Sequence, residues 1–167
     1  MPEGVSPGRV TEDATLIGID YGTRRIGLAV GGTRLGQARP LGALANVNGT
    51  PDWAALDARV AEWRPAAFVL GWPLGVDGEE PPIVAHVRGF ARRLGRRYDR
   101  PVHTVDERYS SIAAGERLAE RRRDGRKTRR ATHADVDATA AAVILERWFD
   151  AGGGAAPAET SAPEAPR

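Results

Sequence analysis

The chain of 167 residues contains no cysteine, one methionine and a single lysine, Lys127. Without cysteine there is no disulfide to brace the fold and no thiolate for a soft metal, so any metal must be met by oxygen or imidazole. The lack of thiols also fits a reducing compartment. No apolar stretch approaches the roughly 18 residues of a membrane helix. The first residues, MPEGVSPGRVTED, lack the apolar centre of a signal peptide. A cytoplasmic protein with no membrane contact is expected. No internal repeat is present, and the length suits one well-buried domain.

Because Lys127 is the single lysine, the positive charge is carried almost wholly by arginine, whose planar fork suits phosphate. The net charge of +2 hides an asymmetry: residues 88–130 hold 15 Lys+Arg against 6 Asp+Glu. A basic cluster of this kind is the electrostatic footprint of a polyanion partner. The bland alternative is a compositional arginine surplus that merely solvates a helix face.

In chain order, residues 1–13 and 151–167 are rich in Gly, Pro and Ala and are expected to be disordered tails around a domain at 14–150. LIGIDYGTRRIGLAV, from Leu16 to Val30, reads as two strands joined by a Gly-containing turn, a β-hairpin. Arg39 to Ala45 reads as a short or edge strand, because it carries Pro40 and Gly42. Trp53, Leu56, Val60 and Trp63 fall at helical spacing before Pro65. Ala66 to Gly71 is a continuous apolar run, the pattern of a strand buried on both faces. A helix from about Pro82 to Tyr98 places Ile83, Val87, Phe90 and Leu94 on one stripe. Pro101 to Val105 is a short strand, followed by a helix that Ser110 or Ser111 can cap, then a basic loop through Arg130. An Ala-rich helix, capped by Asp135, runs to about Phe149. The order suggests a mixed α/β sheet, in which function gathers at strand ends.

Asp20 closes an otherwise apolar strand, where an unpaired charge costs several kcal/mol. It either caps its own turn or holds a cation. Asp106 and Glu107 close the last strand. Asp137 shares a stripe with Ala141, Ile144 and Trp148, so it faces the core, although an acid there also stabilises the helix dipole. These acids could meet at one site, and an oxygen-only set is what Mg²⁺ or Mn²⁺ prefers. The three histidines, His86, His103 and His133, do not recur at metal-ligand spacing, and His133 alone lies beside the proposed site.

DYGTRRIGLAV, VLGWPLGVDG, VDERYSS and DVDATAAAVILERW, together with ARPL and GTPDW, resemble the YqgF/RuvX family of RNase H-like nucleases over about Leu16 to Phe149. The resemblance implies an α/β RNase H-like fold: a five-stranded mixed β-sheet, its first three strands antiparallel, flanked by helices. It implies a bacterial cytoplasmic, Mg²⁺- or Mn²⁺-dependent nuclease that matures the 5′ end of pre-16S rRNA, with ribosomal particles as possible partners and a monomer or homodimer as its state. An older family label implies resolution of branched DNA at Holliday junctions. Carried over by motif, Asp20 and Asp137 are metal ligands with Glu107 the choice for the third, Asp106 being the alternative to Glu107 among the catalytic acids. Arg24, Arg88, Arg92, Arg108, Arg126, Lys127, Arg129 and Arg130 are the expected nucleic-acid contacts, Arg108 being equally able to pair with Asp106 or Glu107.

The chain departs from RuvC-type resolvases at Gly71-Trp72-Pro73, where those enzymes carry a ligand acid. Trp72 there either packs or offers a base a stacking surface. Asp77-Gly78 reads as a turn pair. Two further classes stay open. Asp-x-Gly-Thr on a first hairpin also resembles the phosphate loop of actin-like and sugar-kinase-like proteins, which need two such domains. A ribosome-assembly protein that binds RNA without cutting it would keep the fold alone.

Overall fold

The computed structural model describes residues 13–73, 81–106 and 132–152. All but the innermost residues of both expected tails lie outside that range, as do Asp77-Gly78, the helix expected after Ser111 and the basic loop.

The hairpin forms as its pattern predicts. Thr15–Tyr21 (β1) and Arg25–Gly32 (β2) pair antiparallel, with Ile19 opposite Leu28 and Asp20 opposite Gly27. Gln37–Val47 (β3) continues the antiparallel meander, and a bulge at Leu28/Ala29 leaves Leu41 as the extra residue. The third strand is 11 residues long, so of the two readings, edge or short piece, the structure gives the edge. Pro40 is tolerated because, among the described residues, the outer side of β3 is paired only at Asn46 and Val47. That pairing comes from Thr50–Pro51 (β4), a two-residue strand that raises the count among the described residues from the expected five to six. Its turn is Asn48-Gly49, both at positive φ (51° and 76°), the residue pair a tight hairpin favours.

Asp52 caps Trp53–Trp63 (α1) by accepting from the Ala55 amide at 3.1 Å, and the left-handed Arg64 ends it before Pro65. Ala67–Trp72 (β5) then returns parallel to β1, Ile83–Tyr98 (α2) crosses back, and Val102–Asp106 (β6) adds parallel to β5. His133–Asp150 (α3) closes the described chain. The strand order is β4-β3-β2-β1-β5-β6.

Because β-strand side chains alternate, each inner strand feeds two cores. Ile17, Ile19, Tyr21, Phe68 and Leu70 pack beneath α1 and α2 with Leu56, Val87, Phe90 and Leu94. Leu16, Ala67 and Val69 pack beneath α3 with Ile144, Leu145 and Trp148. Leu16, Ile17, Ile19, Phe68, Val69 and Leu70 are all fully buried, which is why β1 and β5 read as unbroken apolar runs. Each such side chain contributes about 1.5–3 kcal/mol relative to exposure. Arg97 and the Tyr98 hydroxyl both donate to Asp57, tying α2 to α1. Those donors hold the Asp57 carboxyl down at about 2.

Candidate active site

The β1 alternation that puts Ile17, Ile19 and Tyr21 under α1 and α2 puts Leu16, Gly18 and Asp20 under α3. In β2 the same face carries Arg25, Gly27 and Ala29, with Ala29 packed against Ala141 and Ala142. Two glycines allow α3 to come down on this surface. A Cβ on Gly18 would meet the Ala141 carbonyl and the Leu145 Cβ, both at 2.8 Å. A Cβ on Gly27 would run into the backbone carbonyl of Asp137 itself. Since Gly27 is the register partner of Asp20, this contact seats the first turns of α3, and Asp137 with them, beside the end of β1.

The start of α3 is set by Thr132, not by the expected Asp135. The Thr132 hydroxyl accepts from the Asp135 amide at 3.1 Å, and the Asp135 carboxylate accepts from the Thr132 amide at 2.8 Å. This reciprocal box fixes the helix entry, so the helix begins at His133 and Asp135 is its third residue. The stripe expected for Asp137 is present: Ala141, Ile144 and Trp148 are buried along it. Asp137 lies where that stripe reaches solvent, its side chain 24% exposed, and its Oδ2 accepts from Arg25 Nε at 2.6 Å.

Asp106 takes the other side of the sheet. It is the register partner of Trp72, and its alternation partner Val102 lies in the core under α1 and α2. The structure therefore brings Asp20 and Asp137 together and separates Asp106 from them. Glu107 and Arg108 lie outside the described residues, as do Arg126, Lys127, Arg129 and Arg130. Among the described residues no three His, Cys, Asp or Glu side chains are grouped so as to hold a metal.

Of the remaining expected contacts, Arg24 is exposed in the hairpin turn and Arg92 is exposed on α2. Arg88 lies over the Trp72 ring at 5.4 Å, and Trp72 packs at the margin of the first core. The basic stripe of α2 is not uniformly open. Arg97 is committed to Asp57 and Arg93 lies over Trp53, while Arg100, just past the helix, donates to the Pro65 carbonyl.

The histidines divide by burial. His86 and His133 are exposed. His103 is buried at 2% exposure, stacked on Trp148 at 4.8 Å, and its Nε2 has no hydrogen-bond partner among the described residues. Burial pushes its imidazole down to about 4. Arg25 is the residue of the site that sequence reading misses: its partner lies 112 positions away, and no local spacing announces the pair.

Residues 14–151 match the model of a family described as RuvX, Holliday junction resolvase. A protein of Xanthomonas campestris pv. campestris (strain B100) named "Putative pre-16S rRNA nuclease" is 49% identical over 152 residues, covering 90% of this chain and 95% of its own. A protein of the same name from Xanthomonas oryzae pv. oryzae (strain PXO99A) is 48% identical over the same shares of both chains. Among solved structures, Thermus thermophilus RuvC in complex with a Holliday junction substrate superposes with a TM-score of 0.55 at 23% identity, over 87% of this chain and 99% of that one. That likeness concerns the fold, which is the RuvC-like, RNase H-like arrangement of a mixed sheet between helices. With the family match spanning nearly the whole described chain and relatives close to half identical, the chain belongs to the RuvX family.

Proposed function

We propose that the chain is a divalent-metal-dependent endonuclease that trims structured RNA, with the 5′ end of pre-16S rRNA as its substrate and the Asp20–Asp137 face as its centre. The single observation that carries this reading is the seating of Asp137 beside Asp20 through the Gly27 contact, two acids from opposite ends of the chain on one sheet face. The substrate class follows the names of the Xanthomonas relatives.

The residues fit a hard cation. The donors are carboxylates only, which suits Mg²⁺ or Mn²⁺, and Asp137 already accepts from one cationic group, Arg25. Asp20 and Asp137 would hold the ion, with Glu107 as the third acid on the strength of the family resemblance alone. Bound there, the ion would lower the pKa of a water and stabilise the oxygens of an in-line phosphodiester displacement. The protein's own part is positional. The β1–β2 register and the Gly27 contact fix the two carboxylates relative to one another, and the capping box fixes the helix that carries the second. The exposed Arg24 lies next to the site in sequence and in the hairpin turn, suited to a backbone phosphate.

The substrate is tested by offering a 5′-extended 16S precursor RNA and a four-way DNA junction in parallel, with Mn²⁺ and with EDTA. Cleavage of the RNA, lost in EDTA, is expected. Cleavage of the junction alone would transfer the reading to a resolvase, and cleavage of the RNA in EDTA would remove the metal from it.

A further inference from the structure

Asp137, at the candidate centre, is in contact with a cationic group supplied by the protein itself. Arg25 and Asp137 are rooted on rigid elements, β2 and α3, that the Gly27 contact locks together, so only their side chains have freedom to part. Both remain partly open, 39% and 24% exposed. An ion pair this accessible to water contributes about 0–1 kcal/mol to stability, so little holds Arg25 on Asp137 against a stronger partner for its carboxylate. Its position gives it another consequence. Two carboxylates on one face repel each other, and a guanidinium on one of them relieves that repulsion. The same guanidinium repels a dication arriving at the same oxygen.

We propose that Arg25 and the divalent cation are alternative partners of the Asp137 carboxylate. Arg25 balances the acid while the cation is absent and gives way when the cation binds, holding metal affinity below that of the two acids alone. This rests on the metal-site reading above and adds to it a residue that tunes occupancy.

Mn²⁺ binding to the full chain is followed by loss of the free-ion electron paramagnetic resonance signal, with thermal unfolding in EDTA alongside. Arg25→Gln removes the charge and is expected to bind Mn²⁺ about tenfold more tightly than the wild type, the order of effect of a unit charge a few Å from a dication in water-like surroundings. The same variant is expected to unfold at a lower temperature in EDTA. Arg25→Lys, which keeps the charge, is expected to bind as the wild type does. Equal or weaker binding by Arg25→Gln overturns the proposal and makes Arg25 a tether that positions Asp137. Absence of any Mn²⁺ uptake by the wild type that Asp20→Asn removes overturns the metal-site reading, and the proposal with it, so the two failures are distinct. Should Arg25→Gln not fold, the wild-type chain carries the test through its ¹⁵N spectrum. The Arg25 Nε–H resonance, assigned by its loss in Arg25→Lys, is expected to shift and lose exchange protection as Mg²⁺ is added; a resonance unmoved at the end of the titration overturns the proposal.

Discussion

At the scale of single residues, placement in the sheet decides which polar groups are chemical and which are structural. Asp20 and Asp106 both end apolar strands, and the sequence treats them alike. Strand alternation separates their side chains by face: Asp20 shares the α3 face with its register partner Gly27, whereas Asp106 reaches α3 through its backbone carbonyl, which accepts from Arg147. His103 shows the converse, a titratable group absorbed into a core. With the folded imidazole held near 4 by burial and the unfolded one near 6.5, the folded state gains nothing from this group above pH 6.5. As pH falls from 6.5 to 4 the unfolded chain takes up a proton that the folded chain refuses, so stability declines by about 1.4 kcal/mol per pH unit, of order 3 kcal/mol in all. Urea unfolding at pH 7 and pH 5 is expected to show about 2 kcal/mol of this loss in the wild type and less in His103→Gln. Equal losses in both would place the pH sensitivity elsewhere.

At the scale of elements, the critical joint is the crossing of α3 over β2. Gly27→Ala puts a methyl group into the Asp137 backbone, which cannot move as a flexible side chain could. The expected cost is about 3 kcal/mol in urea unfolding, with weakened Mn²⁺ binding because Asp137 is displaced from Asp20. Unchanged stability and binding would mean that α3 does not depend on this contact. The elements themselves were largely legible. The α1 and α2 stripes, the buried run of β5 and the first hairpin follow from apolar period alone, because each buries a continuous face. Three features were not read. The Asn48-Gly49 turn carries a two-residue strand too short for any periodicity. β3 is long despite Pro40 because most of its outer side needs no ladder partner. Thr132, the cap, precedes Asp135 by three residues, and an Asp beside Asp137 is the more conspicuous candidate.

At the scale of the whole molecule, chain order conceals what the fold assembles. Asp20 and Asp137 stand 117 positions apart in sequence; their places at element boundaries let them meet, and the resemblance of four ordered motifs made that pairing an expectation. The physical cause of that pairing, a glycine opposite Asp20 that admits the α3 backbone, required coordinates. The Arg25 contact required them too, since an ion pair between a hairpin and a distant helix leaves no periodic trace. Among the described residues no helix is long and apolar enough to cross a membrane, as the hydropathy pattern predicts. The measurement that bears most directly on the central claim is RNA cleavage by Asp20→Asn and Asp137→Asn, each checked for retained folding by circular dichroism. Both are expected to fold as the wild type and to lose cleavage by at least a hundredfold, about 2.7 kcal/mol of transition-state stabilisation or more. Folded variants that cut at the wild-type rate would contradict a centre built from these two carboxylates.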